Sequence, residues 1–324
     1  MRAVVCRRYG SPDVLELQEV DKPIPKRNEV LIRIMAGTVG PSDCAFRKGE
    51  PFAVKLVNGL RRPKHPILGT EFAGVIDAVG QDVTQFRTGD RVYGLSPHTA
   101  GAHAEYKCLP ENGVLVQMPE GLSYEDMVAV CDGAATSLTF LRDQAKVKSG
   151  QKVLIIGASG AVGIYAVQLA KHYGAEVTGV CSGANADLVK SVGADEVIDY
   201  TLEDFTADGR LYDVIFDAVG KRSFSQCAGS LTPDGIYLST TPTLSNIASM
   251  LRTMLFGRKK SKFVTAGLMQ SKDNLRYLNA LCEQGKLRAI IDRRYSLEQA
   301  ADAHRYVDTG RKKGNVVIRI GQKD

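Results

Sequence analysis

The run Val153-Leu-Ile-Ile156 is apolar at every position, as a parallel strand buried on both faces requires. Gly157, Gly160 and Gly163 follow at steps of three. Ile164, Val167 and Ala170 then recur at helical spacing, Gly174 supplies a stop, and Glu176 to Val180 reads as a second strand. Upstream the pattern differs. Arg2–Cys6, Leu15–Val20, Glu29–Met35, Gly74–Val79, Arg91–Tyr93 and Ala104–Cys108 alternate or run apolar between Pro, Gly and Asp turns, which predicts a small β-barrel-like domain. From Tyr124 onward helices and strands alternate. A helix over Tyr124–Arg142 precedes the glycines, and strands follow at Glu196–Asp199, Asp213–Val219 and Ile236–Ser239. That alternation predicts an α/β fold with a doubly wound parallel sheet. After it come a helix at Asp273–Glu283, a strand at Ala289–Arg293 and a helix opening at Ser296 with a capping-box Gln299. Asn315–Ile320 closes the chain as a strand.

The glycine segment predicts a phosphate cradle. A tight turn needs unusual φ, and a pyrophosphate close to the backbone leaves no room for Cβ. Gly163 lets the helix lie against the strand, and the helix N-terminus turns free amides and partial positive charge on the phosphates. Ser159, Ala161 and Val162 complete the loop. The middle glycine sits one place later than in G-x-G-x-x-G, so the whole strand–loop–helix–strand unit carries the prediction, not the spacing alone. A glycine-rich turn in an unrelated α/β protein is the alternative. A P-loop is excluded, since no Gly-Lys-Ser/Thr ending follows.

Length changes the picture to two domains: 324 residues exceed the usual size of one. Composition is that of a globular chain, with 44% hydrophobic and 24% charged residues. No apolar run approaches the roughly 20 residues that span a bilayer, and the first ten residues do not read as a secretory signal. Seven cysteines without a C-x-x-C pair predict reduced thiols and a cytoplasmic setting. A net charge of +6 suits an anionic cofactor and does not point to nucleic acid.

Several motifs occur in order: Glu29-Val-Leu-Ile-Arg33, Pro66-Ile-Leu-Gly-Thr-Glu-Phe-Ala-Gly74, Gly89-Asp-Arg-Val92, Ala104-Glu-Tyr106, the glycine loop, Gly193-Ala-Asp-Glu-Val-Ile-Asp-Tyr200 and Lys313-Gly-Asn-Val-Val317. With these the chain resembles the medium-chain dehydrogenase/reductase superfamily over nearly its full length. The resemblance implies a GroES-like β-barrel domain from residues 1–123 and 271–324, with a Rossmann dinucleotide-binding domain, 124–270, inserted between them. It places the active site in the cleft.

Zinc members of the superfamily carry a Cys three residues before the Asp matching Asp43, and a His before the Glu matching Glu71. Here those places hold Gly40 and Thr70, neither a useful zinc ligand. Only Cys108 lies between Cys44 and Cys131, so no four-cysteine structural lobe exists either. Cys44 and Cys131 remain as stray thiols, and His65, His98 and His103 fall on loops. The expectation is a zinc-free enzyme of the quinone oxidoreductase-like branch, without a metal site.

The second strand of the nucleotide unit runs into Val180-Cys-Ser-Gly-Ala-Asn185 with no acid before Asp187. An acid there would hold the ribose 2′-OH of NAD, and its absence admits NADPH, with NADH still usable. By resemblance the 2′-phosphate is met by Ser182, Asn185 and Tyr200. Lys190 either adds charge or is a solvated helix lysine. Strand ends supply further contacts: Asp217 to Gly220 with Val219, Thr240-Thr241, and Ala266 to Leu268 with Gly267 and Leu268. By resemblance Thr136 and Asn315 approach the nicotinamide or its phosphates from either side of the cleft. Asp217 as a mere loop cap and Thr136 as a back-bonded helix residue are the plainer readings.

Without a Lewis acid, an alcohol must lose its proton unaided, so reduction of an activated acceptor is the expected direction. A quinone or α,β-unsaturated carbonyl spreads the arriving charge onto an oxygen that a few donors can stabilise. Ser42 and Tyr93 are the nearest hydroxyl donors, although Tyr93 also reads as a half-buried strand aromatic. Asp43 and Glu71 read as partners of other polar groups, and solvent is an alternative proton source. An NADPH-binding scaffold protein with little turnover and, less well supported, an alcohol dehydrogenase stay open. Two segments pass from apolar to basic: Pro51–Leu60 ahead of Arg61–Lys64, and Ile247–Phe256 ahead of Arg258–Lys260. Lid packing or a dimer contact with a solvated basic edge is the simpler reading. A membrane-surface patch that collects lipid-like acceptors is the sharper one. By resemblance a homodimer forms through the sheet edge, over Phe263–Ala266.

Overall fold

The structure is a computed structural model and describes residues 1–241 and 243–321, without the side chain of Leu268. It forms two compact units. The first comprises Met1–Asp132, Ser271–Glu283 and Arg288–Asp324, and the second Gly133–Gln270 with Gln284–Leu287. The division falls inside a helix rather than at its start.

In the first unit the chain runs through β1 (Arg2–Cys6), β2 (Leu15–Glu19), β3 (Glu29–Thr38), α1 (Pro41–Lys48), α2 (Phe52–Asn58), β4 (Glu71–Val79), β5 (Arg91–Leu95), β6 (Tyr106–Pro110) and β7 (Val114–Gln117). α3 (Tyr124–Leu138) leads out, continuing as a π-helical turn over Thr139–Ala145. The second unit then adds β8 (Lys152–Ile156), α4 (Gly163–His172), β9 (Glu176–Cys181), α5 (Ala186–Ser191), β10 (Glu196–Asp199), β11 (Tyr212–Asp217), α6 (Phe224–Cys227), β12 (Leu231–Ser239), α7 (Leu244–Phe256) and β13 (Lys260–Phe263). α8 (Lys272–Glu283), β14 (Ile291–Ser296), α9 (Ala300–Asp308) and β15 (Asn315–Arg319) return to the first unit.

The second unit is the doubly wound sheet. Its six strands are all parallel, in the order β10-β9-β8-β11-β12-β13. Numbered by appearance this is 3-2-1-4-5-6, with the topological switch between β8 and β11. Val153, Leu154 and Ile155 are wholly buried, which explains the unbroken apolar run. The first unit holds a mixed seven-stranded sheet, β14-β15-β3-β4-β5-β7 with β6 on β3, and a separate antiparallel pair, β1-β2. β3 is long enough to pair with β6 along its first half and with β15 along its last residues. Val30, Ile32 and Ile34 alternate into a core shared with Phe72, Ile76, Leu115 and Ile318. On α9, Ala300, Ala303, His304 and Val307 are buried at i, i+3, i+4 and i+7, below a Ser296–Gln299 capping box.

Several boundaries move. The edge strand expected over Phe263–Ala266 lies at Lys260–Phe263, because Ala266–Leu268 winds into a 3-10 turn. The helix expected to Arg142 is α-helical only to Leu138. Ala104 contributes an isolated bridge to Ala3, and the β6 ladder begins at Tyr106. All seven cysteines are free thiols. Among the described residues no helix is long and apolar enough to cross a membrane.

Candidate functional site

At the end of β8 the chain turns through Gly157, whose φ of 77° is left-handed. The Gly157 and Ala158 amides both donate to the Val180 carbonyl, at 3.0 and 3.1 Å, tying the turn to β9. A Cβ on Gly157 would meet Val219 Cγ1 at 2.5 Å, so the residue after β11 lies over this glycine. A Cβ on Gly163 would collide with the Gly157 carbonyl oxygen. Gly163 therefore sets how closely α4 approaches the strand. Gly160 differs. Its nearest neighbour would be the Gly157 carbonyl oxygen at 3.4 Å, so the protein itself has room for a side chain there. Among the described residues, the amides of Ser159, Ala161, Val162 and Gly163 have no backbone acceptor. They stand at the N-terminus of α4, where a phosphate is favoured.

Side chains brace this loop. Asn185 Nδ2 donates to Ser159 Oγ at 3.1 Å, which leaves the Ser159 proton free, while Asn185 Oδ1 is buried without a partner. The Ser137 hydroxyl of α3 is 2.8 Å from both the Val162 and the Gly133 carbonyls, clamping the loop from below. Sequence patterning gave no sign of Ser137, which stands among Thr136 and Thr139 with nothing along the chain to single it out. Asp217 is wholly buried and accepts from the amides of Val219 (3.1 Å), Gly220 (2.8 Å) and Arg222 (2.8 Å). It holds the loop after β11 and is thus a cap.

Gly157, Ser159, Gly160, Ala161, Val162, Gly163, Asn185 and Val219 accordingly gather at the carboxyl ends of β8, β9 and β11. Ser182 is half-buried beside them, ahead of the Gly183–Asn185 turn. The Tyr200 amide donates to Cys181 O at 3.1 Å while its side chain is 62% exposed. Thr136 is buried in α3, and Gly267 lies half-buried in the turn after β13. The Leu268 side chain is outside the described residues. Asn315 belongs to the first unit, where its backbone and side-chain amides both point at Ile290 O. A further residue was missed: Asp199 pairs in register with Cys181, and a Cβ on Gly183 would overlap its Oδ2. The amide and hydroxyl of Thr201 keep this carboxylate below its usual range. An acid thus reaches the β9 loop from the neighbouring strand.

The first unit, which carries both hydroxyl candidates, also holds a dense polar cluster. Asp43 is buried and accepts from the Gly40 amide at 2.8 Å and the Gly69 amide at 3.2 Å; burial raises its pKa. Glu71 accepts from Thr38 Oγ1 at 2.7 Å and from the Asp132 amide at 3.1 Å. Burial and the nearby Asp132 push it up to about 8. Burial pulls Lys312 down to about 8 and His304 to about 2. Cys44 Sγ lies 3.5 Å from His304 Nδ1, its thiol pushed up to about 12 by burial; Cys131 is raised well above its usual range for the same reason. His103 Nε2 is 2.8 Å from Thr38 O. Ser42 is exposed in the first turn of α1. Tyr93 is fully buried, not half-buried, and its hydroxyl lies 2.7 Å from Asn279 Oδ1 and 3.0 Å from Leu275 O. Its proton is committed inside the unit. Among the described residues no three His, Cys, Asp or Glu side chains are placed to share a metal ion.

Two family models match the chain: an alcohol dehydrogenase GroES-like domain over residues 26–120, and a zinc-binding dehydrogenase over residues 192–318. The chain is 33% identical to a chloroplastic quinone-oxidoreductase homolog of Spinacia oleracea, covering 98% of each protein. It is 32% identical to the 2-methylene-furan-3-one reductase of Solanum lycopersicum, over 98% of this chain and 79% of that one. The solved quinone oxidoreductase of Coxiella burnetii matches with a TM-score of 0.89 at 31% identity, covering 99% of both chains.

Proposed function

We propose, from the premise that this chain belongs to the medium-chain dehydrogenase/reductase superfamily and to its quinone-oxidoreductase-like branch, that it passes hydride from NADPH to a quinone or an α,β-unsaturated carbonyl without a metal. The chain is an NAD(P)H-dependent oxidoreductase. The observation that carries the cofactor reading is Gly160, a glycine for which the protein has no internal need, facing unpaired amides at the switch point of the sheet. Such a gap fits a pyrophosphate. The buried, unpartnered Asn185 Oδ1 beside Ser159 is an acceptor in want of a donor, which a ribose hydroxyl of the dinucleotide, not its pyrophosphate, can supply.

When bound, the nicotinamide supplies the hydride. The protein's part is to bind and orient. The loop amides and the Ser159 hydroxyl hold the phosphates, Val219 closes over the turn, and Asp217 fixes the loop that carries Val219. Ser182, Asn185 and Tyr200 are the groups left for a 2′-phosphate, and no acid ends β9. Metal independence rests on the donor set, because Gly40 offers no side chain and Thr70 only a hydroxyl where zinc relatives carry ligands. The zinc-binding family model does not reach either position, since its match begins at residue 192. Without a Lewis acid, an acceptor that delocalises the arriving charge is the fitting substrate. The relatives named for quinone and furanone reduction support that class. With Tyr93 committed to Asn279, the proton comes from solvent or through Ser42.

Steady-state kcat/KM with NADPH and NADH against ortho-quinones, para-quinones and enals tests this. We expect turnover on at least one class, a preference for NADPH, and no effect of a chelator. Loss of activity with chelator would overturn metal independence. NADPH binding without turnover on any acceptor would replace the enzyme reading by that of a structural NADPH-binding protein.

A further inference from the structure

Helix α7 is amphipathic the wrong way round. Its two buried residues, Asn246 and Thr253, are polar and two turns apart on one face. Asn246 Nδ2 donates to Ser239 Oγ at 3.1 Å and to Thr241 O at 3.0 Å, while Thr253 Oγ1 accepts from the Ser261 amide at 3.0 Å. Hydrogen bonds made by its two buried residues thus help anchor the helix. On the opposite face Leu244, Ile247, Leu251, Met254 and Leu255 are exposed, and Phe256 ends the helix; Leu244 and Phe256 are each 87% exposed. A continuous apolar stripe over three turns marks a contact surface, unlike a scattered Leu.

Charge surrounds one end of the stripe. Arg252, Arg258, Lys259, Lys260 and Lys262 are basic, and no acidic residue occurs between Leu244 and Phe263. At the same end lies a groove of about 350 Å³ whose lining includes Phe224, Ala228, Pro233 and Phe256 together with Arg252 and Arg258. Among the described residues Arg258 pairs with one acid, Asp234, at 2.9 Å and in the open.

We propose that α7 is an interfacial helix that docks this unit on an anionic lipid bilayer. Its apolar face enters the headgroup–acyl boundary, and the exposed Arg252 and Arg258 meet the phosphates. A second copy of the chain fits less well. A two-fold contact sets the same patch against itself, and an apolar patch whose bordering charges, Asp234 apart, are basic offers little complement to its own charge. An anionic surface does. The inference is independent of the cofactor and acceptor, since no residue of the glycine loop takes part.

Flotation of the purified full chain with vesicles tests it, using phosphatidylcholine alone and phosphatidylcholine with about a third phosphatidylglycerol. Wild type should float with the anionic vesicles at least about tenfold more than with neutral ones, and should lose most of that between about 0.1 and 0.5 M NaCl. The Leu251→Ser/Leu255→Ser variant should lose flotation at both salts while keeping its Tm and NADPH binding, because both side chains are exposed. Arg252→Glu/Arg258→Gln should lose only the anionic preference. Absence of wild-type flotation on anionic vesicles at low salt overturns the proposal. So does a wild-type dimer by light scattering that Leu251→Ser/Leu255→Ser turns into a monomer, since a second copy would then cover the stripe.

Discussion

The loop after β8 and the polar cluster around β3, β4 and α1 are opposite ways of building a site. The loop has hardly any ionisable side chains. It works through atoms it lacks, namely a Cβ at Gly160 and acceptors for four backbone amides. The cluster has Asp43, Glu71, His103, His304, Cys44 and Lys312, several strongly shifted, yet most of the polar atoms already have partners within it. Shifted pKa values are common at active sites, but structural networks produce them too. In the cluster only His103 Nδ1 and His304 Nε2 are buried without a partner among the described residues, both on rings deep in the unit. The loop leaves a row of four amides and an open gap at Gly160. A ligand is expected at that row, not where titratable groups are densest.

Two alanine substitutions break that comparison most directly. In Gly163→Ala the new methyl strikes the Gly157 carbonyl and forces α4 off β8, which should cost about 3 kcal/mol in urea unfolding. Gly160→Ala should leave stability within about 0.5 kcal/mol, because its Cβ meets only one atom, at 3.4 Å. It should nevertheless weaken NADPH binding at least about tenfold, about 1.4 kcal/mol, measured by fluorescence titration. Equal stability losses in the two variants would mean that Gly160 also serves the fold, and that the gap has no bearing on a ligand.

The cluster's signature is pH. Glu71 has its folded pKa raised from 4.5 to about 8, so between those values the native state holds a proton that the unfolded chain releases. Stability is therefore fully present below about pH 4.5 and falls as pH rises towards 8, by on the order of 1 kcal/mol per pH unit. Asp43 is also raised and adds a share of the same sign. Lys312, lowered to about 8, acts only above that pH, with the opposite sign. Glu71→Gln keeps the Asp132 amide and Thr38 hydroxyl partnered, and should flatten the slope of urea unfolding between pH 5 and 8 (about one unit either way). A slope as steep as that of wild type would place the titration elsewhere.

What the sequence discloses follows from the same contrast. β8, the glycine turn and α4 are legible because a parallel strand buried on both faces reads as unbroken apolar sequence and its turn needs glycine. β13 is not, since Lys-Ser-Lys-Phe buries only Ser261 and looks like surface. α1 hides in the same way, with Asp43 and Arg47 buried on it. Tyr93 reads as half-buried because its contacts on α8 arrive from nearly two hundred residues away. The outward apolar face of α7 is legible as amphipathic, but its direction depends on Asn246 and Thr253 finding partners on neighbouring segments. Asp199 is the sharpest case: its position beside Gly183 is a matter of strand register, which no spacing along the chain reveals.

That register carries a smaller prediction. Asp199 brings negative charge to the loop assigned to the 2′-phosphate, and it opposes the preference for NADPH that Ser182, Asn185 and Tyr200 support. Asp199→Asn should raise the ratio of kcat/KM for NADPH over NADH about fivefold, about 1 kcal/mol, through KM. Affinity for 2′,5′-ADP should rise while that for 5′-AMP stays constant. An unchanged ratio would mean that the carboxylate faces away from the ribose.

The smallest expected effect is the most pointed test of the cluster. The Tyr93 hydroxyl joins β5 to α8 through Asn279 and Leu275. In Tyr93→Phe, Asn279 still donates to Gln117 O at 2.9 Å, so one buried hydrogen bond is lost without a stranded charge. The cost should be about 1 kcal/mol in urea, with kcat unchanged at every pH. Were Tyr93 the proton donor, kcat would fall more than about tenfold, and the solvent isotope effect on it would change. That result would turn the cluster from scaffolding into machinery. An unchanged kcat keeps the division in place, with recognition built from absent atoms in one unit and stability from crowded ones in the other.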